Sequence, residues 1–225
     1  MKRSISLSCL FIIALLSFLK LEPAYATNNI IVSSDSYNSV QGQDGWWYQE
    51  WDGTKYVDLS WDPESGRWYS QTNPYTAVWD DGQHPSITDS VRKWKVPVSG
   101  VIRIQGNIAK SNIGGGDGVN AKIMKNGVQV WPESGWQHVA YNNDVGIHVD
   151  VSVSVTKGDS LYFIINKNGG YDFDATYWPI NINYIYPYEI NYIYNSRNLL
   201  EEIRYPNGHL VKYSYDKNGN LIKVE

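Results

Sequence analysis

Valine stands at every second position from Val149 to Val155, with Asp150, Ser152 and Ser154 between. Side chains alternate between the two faces of a strand, so this pattern fits one dry face and one wet face and fits no helix. The alternation recurs in Val119, Ala121 and Ile123, which lead through an Asn126-Gly127 hairpin turn to Val128 and Val130. Lys157-Gly158-Asp159 turns the chain into an apolar run from Leu161 to Ile165, and Pro179 to Tyr184 reads as a closing strand. Short strands broken by Gly, Asn and Asp turns predict an all-β chain. The expected fold is an antiparallel β-sandwich of jelly-roll type over residues 37–184, followed by a short β-hairpin tail over residues 185–225.

Lys2 and Arg3 precede an apolar run from Leu7 to Leu19, and Ala24-Tyr25-Ala26 supplies a small-x-small cleavage site. This is the pattern of a secretory signal peptide over residues 1–26, and the run is too short for a spanning helix. Cys9 lies inside the apolar run, so lipidation is not expected and the mature chain holds no thiol. Loss of the leader removes Lys2, Arg3, Lys20 and Glu22 and takes the formal charge from −4 to −6. An acidic exterior argues against nucleic acid and membrane partners, and the expected location is secreted, extracellular or at the cell surface. Residues 27–36 read as a linker. Without disulfides, stability rests on a packed core, with structural calcium as the only cofactor to consider.

All ten tryptophans lie between Trp46 and Trp178. An indole has a large apolar body and a polar N–H, so it serves a core or a wet binding face. Trp46-Trp47-Tyr48 and Trp51 crowd one alternating segment, where adjacent residues point to opposite faces and at least one ring faces outward. Trp61, Trp68 and Trp79 punctuate stretches that read as loops rich in Asp, Gly and Pro. Flat rings can cover the C–H faces of sugars while fixed polar groups bond hydroxyls. The candidate ligand-binding residues are Trp47, Trp51, Trp79, Asp80, Asp81, His84 and Trp94, with core packing the competing role for each ring. Gly114 to Gly118 lacks the following Lys-Ser/Thr of a nucleotide loop and reads as a tight turn, in which Asp117 is a candidate calcium ligand. His84, His138, His148 and His209 show no zinc-ligand spacing.

Tyr192-Ile-Tyr194-Asn195 is echoed by Tyr213-Ser-Tyr215-Asp216 at a spacing of 21 residues. In the second copy Asp216 and Gly219 bracket a tight turn; in the first, Asn195 and Asn198 take those places, both residues that tolerate turn conformations. Pro206-Asn207-Gly208 supplies a turn between the copies. These residues resemble the YD or RHS (rearrangement hotspot) repeat of large secreted bacterial proteins, in which long repeat runs coil into a β-sheet shell that can enclose a toxin or another polypeptide. The resemblance implies a downstream RHS-repeat polypeptide as a partner. One unit and part of a second cannot build a shell, because a repeat unit needs neighbours to cover its apolar face.

Segments Gln41 to Trp46, Asp80 to Pro85, Ser90 to Trp94, Gly115 to Val119 and Lys125 to Gly127 resemble a sandwich module of secreted bacterial polysaccharide-degrading enzymes and surface proteins. That resemblance implies a noncatalytic carbohydrate-binding or adhesive module, its partner a polysaccharide or cell-surface glycan. The alternative is a structural or protein-interaction domain that begins or plugs an RHS shell. A glycosidase would need two paired carboxylates across a cleft, and Glu50, Glu64 and Glu133, the only glutamates of the sandwich, show no pairing. No Gly-x-Ser-x-Gly elbow is present either.

Overall fold

The computed structural model describes residues 31–33, 37–185, 191–205 and 209–225. The segment read as a signal peptide, most of that read as a linker, and the Pro206-Asn207-Gly208 segment read as a turn lie outside the described residues.

Eight antiparallel strands form the central sandwich. One sheet runs β1 (Ile31–Ser33), β16 (Ile180–Ile185), β9 (Gly100–Lys110) and β13 (Ile147–Val155). The other runs β8 (Asp89–Lys95), β14 (Ser160–Asn166), β10 (Val119–Lys125) and β11 (Val128–Trp131), with β12 (Gln137–Val139) also on β10. Consecutive strands interleave between the sheets and the first strand pairs with the last, which is the order of a jelly roll. The segment read as a linker therefore contains an edge strand, since Ile31 to Ser33 pairs with Asn183 to Asn181.

Two additions enlarge this frame. Strands β2 (Trp46–Trp51) and β3 (Tyr56–Asp58) extend the second sheet beyond β8. Strands β4 (Ser60–Asp62), β5 (Arg67–Tyr69), β6 (Ala77–Trp79) and β7 (Gly82–His84) form a meander that joins the first sheet through β15 (Thr176–Tyr177). The join is made by β9, whose residues 101–106 pair with β16 while Ala109 and Lys110 pair with β15. Chain crosses at Gly106, where an added Cβ would meet the Pro179 carbonyl at 2.5 Å. Trp61, Trp68 and Trp79 thus lie in strands rather than loops.

The core forms where the two sheets face each other. Val149, Val153 and Val155 turn inward as their alternation predicts, against Ile102, Ile104, Phe163, Trp46, Trp94 and Trp178. Arg92, 1% exposed, is the exception in this apolar setting. Its guanidinium donates to the carbonyls of Trp79 (2.8 Å), Gly82 (3.0 Å) and Trp178 (3.0 Å), and burial lowers its pKa to about 10. A buried charge is costly unless its donors are matched; backbone carbonyls match the two terminal nitrogens, while Nε is buried without a hydrogen-bond partner.

The tail is a four-stranded antiparallel meander of β17 (Asn191–Tyr194), β18 (Leu200–Arg204), β19 (Leu210–Tyr215) and β20 (Leu221–Val224). The turns after Tyr194 and Tyr215, 21 residues apart, fold alike. In each, the first turn residue accepts an N–H three residues on, Asn198 to Asn195 at 2.9 Å and Gly219 to Asp216 at 3.2 Å. The Asn195 and Asp216 side chains each collect backbone N–H groups two and four residues ahead. Asn198 and Gly219 both take positive φ, 58° and 90°. Arg197 of the first turn donates to the Asp216 and Lys217 carbonyls of the second, both at 3.1 Å, and so fastens one copy to the next.

Candidate functional site

The candidate site lies on the inserted meander. Because side chains alternate along β5, β6 and β7, Trp68, Val78 and Gln83 turn into the core, and Arg67, Tyr69, Trp79 and His84 turn outward. Tyr75, in the β5–β6 loop, rises beside them. Together with Ser111 and Ala175 these outward residues line an open groove of about 340 Å³. Through Tyr75 and His84 the groove continues into a second compartment of about 240 Å³, walled by Tyr171, Asp172 and Phe173.

Aromatic surface is unusually open here. Tyr75 is 61% exposed and stacks on Tyr171 with ring centroids 5.8 Å apart and an interplanar angle of 25°. Phe173 is 45% exposed and sits at φ 65°, a left-handed conformation that costs a bulky residue on the order of 1 kcal/mol or more. The Gly114 to Gly118 loop explains how that conformation is held. Added Cβ atoms at Gly114 and Gly115 would crowd the Phe173 ring at 3.1 and 3.2 Å, and one at Gly116 would meet the Asp172 carbonyl at 2.4 Å. The glycine loop is a seat for the 172–173 turn. Replacing Phe173 with Asn, which tolerates positive φ, is expected to leave thermal stability within about 0.5 kcal/mol of wild type while weakening ligand retention. A melting curve beside a binding assay checks both halves.

Trp79 is held from two sides. The indole lies across its cross-strand partner Gly82, where an added Cβ would stand 2.4 Å from the ring, and the Arg67 guanidinium lies 4.8 Å from the ring centroid on a cation–π contact. The Trp79–Gly82 turn is gripped from inside by Arg92 and by the Trp178 N–H, which donates to the Asp81 carbonyl at 2.7 Å. His84 Nδ1 pairs with the Pro85 carbonyl at 2.6 Å, and burial lowers its pKa, so the ring is neutral at neutral pH with Nδ1–H as donor.

Behind the groove floor lies a buried ion pair. Lys110 Nζ and Asp174 Oδ1 are 3.0 Å apart with both side chains 0% exposed, one residue along the chain from Ser111 and Ala175. Burial raises the Asp174 pKa to about 6 and lowers that of Lys110, each toward its neutral form. An unfolded aspartate titrates near 4, so the fold binds this proton more tightly than the open chain does. The stability contributed by Asp174 is full below about pH 4 and is lost as pH rises through about 6. The difference in unfolding free energy between wild type and Asp174→Asn should therefore change between pH 4 and 6.5, as urea melts at a series of pH values would show. Aspartates 52, 62, 150, 159 and 216 have pKa values lowered by hydrogen bonds to their carboxylates and act below that window.

The residues picked from sequence divide among four places. Trp79 and His84 line the groove, and Asp80 and Asp81 form the exposed tip of its hairpin. Trp47 and Trp51 belong to the other sheet: Lys93 lies over Trp47 at 5.1 Å, and Trp51 packs on Tyr56 at 4.7 Å. Trp94 is 0% exposed in the core, which corrects its reading as a ligand contact, since it offers a ligand no surface. Asp117 Oδ2 accepts the Gly169 and Gly170 N–H groups at 2.9 and 3.0 Å and anchors that loop; among the described residues no cluster of three His, Cys, Asp or Glu side chains could hold a metal. Tyr75, Tyr171, Phe173 and Arg67 escaped the sequence reading. Glu50 is buried, its oxygens accepting Ser70 Oγ at 2.8 Å and Thr88 Oγ1 at 2.6 Å.

No family model matches the chain, and no curated protein matches it. Solved structures similar to it include CBM51 from Clostridium perfringens GH95 in complex with methyl-galactose, at 9% identity and a TM-score of 0.36, over 68% of this chain and 99% of that one. CBM51-2 in complex with GlcNAc, from Clostridium perfringens ZmpB, aligns at 9% identity and 0.35, over 70% of this chain and 28% of that one. The carbohydrate binding module CBM6cm-2 from Cellvibrio mixtus lichenase 5A, in complex with cellotriose, aligns at 15% identity and 0.28, over 69% and 97%. These neighbours are carbohydrate-binding modules. At such scores the likeness carries no functional argument, which has to come from the groove.

Proposed function

We propose that the chain is a noncatalytic carbohydrate-binding module whose ligand lies along the groove of Tyr69, Tyr75, Trp79, Tyr171 and Phe173. The observation that carries this reading is the open aromatic groove in two joined compartments, with Tyr75 and its stacking partner between them. Rings left in water at a rim of His, Asp and Ser suit a ligand with both C–H faces and hydroxyls, which is the chemistry of a sugar chain. A glycan array with the mature protein tests it. Signal should fall with Tyr75→Ala and persist with Trp47→Ala, whose ring is on the opposite sheet; no signal on any glycan, or signal indifferent to Tyr75, sinks the reading.

Export is part of the proposal and rests on the leader pattern of residues 1–26. Among the described residues no helix is long and apolar enough to cross a membrane. The finer placement, at the head of an RHS/YD-repeat protein, is supported by the repeat motif and by two hairpins with matching turns. A protein-interaction role is the second reading. What favours it is the tail, where Tyr192, Tyr194, Leu221 and Val224 are each more than half exposed. Co-purification of a separate repeat polypeptide through the tail, with no glycan signal, would favour that role.

A further inference from the structure

We infer that the groove selects anionic polysaccharides, with the Arg67 guanidinium receiving a carboxylate or sulfate carried by the sugar. This rests on the glycan-binding reading above and narrows its ligand class. Each other described arginine already has oxygen partners. Arg92 donates to three carbonyls, Arg103 forms a fork on Asp150, Arg197 donates to two carbonyls, and Arg204 pairs with Glu202. The Arg67 guanidinium has no hydrogen bond or ion pair with any described residue, although the chain is acidic overall.

Its position is nevertheless set. The contact with Trp79 lays the guanidinium against the groove wall, and Trp79 is itself fixed by Gly82 and Arg92. The carboxylate of Asp62, the strand partner of Arg67, accepts instead from Ser65 Oγ at 2.7 Å and from the Glu64 N–H at 3.0 Å. His84 is neutral and Lys110 is buried against Asp174, so Arg67 is the fixed positive charge among the groove-lining residues of the first compartment. A planar fork of donors, held on an aromatic face and left without an oxygen partner, is suited to a planar carboxylate or to two oxygens of a sulfate.

Isothermal titration of the mature protein against polygalacturonate, a sulfated galactan and neutral dextran tests the inference. Binding is expected to at least one anionic polymer and to weaken with added salt, the two anionic arms telling carboxylate from sulfate. Arg67→Gln should weaken it by about 10- to 100-fold, and Arg67→Lys, which keeps the charge without the fork, should recover part of the loss. Because Arg67 is exposed, near-UV circular dichroism should show both variants folded. Equal affinity for dextran, or an Arg67→Gln variant that binds like wild type, overturns the anionic specificity and leaves the glycan site standing. Failure of the wild type to bind any polysaccharide overturns both.

Discussion

Tyr75→Ala is expected to weaken polysaccharide binding by roughly 30-fold, equal to about 2 kcal/mol, with little change in melting temperature. The size follows from the position of the ring. Tyr75 lines both compartments and stacks on Tyr171, so its removal opens the centre of the groove and takes away the surface that joins its halves. Central, rigid aromatic contacts dominate recognition, whereas a half-exposed ring adds little to folding. Trp79→Ala should weaken binding to a similar degree by a different route: without the indole, Arg67 loses its support and the hairpin loses the ring that covers Gly82. Titration calorimetry of both variants beside Trp47→Ala separates a groove effect from a general loss of tryptophan surface. If the Trp47 variant loses as much affinity as the other two, the site has been placed on the wrong sheet.

The largest stability effect is expected from the pair behind the groove. Lys110→Met leaves Asp174 buried without its cation, and Asp174 Oδ2 already has no hydrogen-bond partner. Breaking a buried pair from one side costs about 3–5 kcal/mol, because the remaining charge keeps its desolvation cost and loses its compensation. Replacing both partners, as Lys110→Met with Asp174→Leu, should recover most of that loss, since apolar side chains of similar size can fill such a site. Urea unfolding of the single and double variants measures the difference. A single variant within about 1 kcal/mol of wild type would show that the pair contributes nothing to the fold.

How much of this was legible in the chain depends on strand length. The valines of β13 repeat over nine residues, long enough for a period of two to stand out, and they mark the core face without ambiguity. Strands β4 to β7 have three residues each, too few for any period, and their Asp, Gly and Pro surroundings read as loops. Yet Arg67-Trp68-Tyr69 already contains the outward, inward, outward order that builds the groove floor. Trp94 was misplaced because β8 is buried on both faces over Ser90, Val91 and Arg92, where alternation says nothing about exposure. Tyr75 and Tyr171 are far apart in sequence and meet only because the β5–β6 and β14–β15 loops reach the same rim. The turns of the tail, by contrast, depend on residues within four positions of one another, so Asp216 and Gly219 could be assigned directly.

The three carbonyl contacts of Arg92 bear on how a ligand would arrive and leave. Two of them hold the ends of the turn that carries Trp79, and they reach it from within the core. That turn cannot rearrange without uncovering a buried cation, so this wall of the groove is expected to keep its shape when a ligand binds. Association then requires little ordering of the protein, and encounter rates should differ little among sugars that fit. Discrimination would be expressed in residence time: ligands that match the groove stay, and the others leave as easily as they entered.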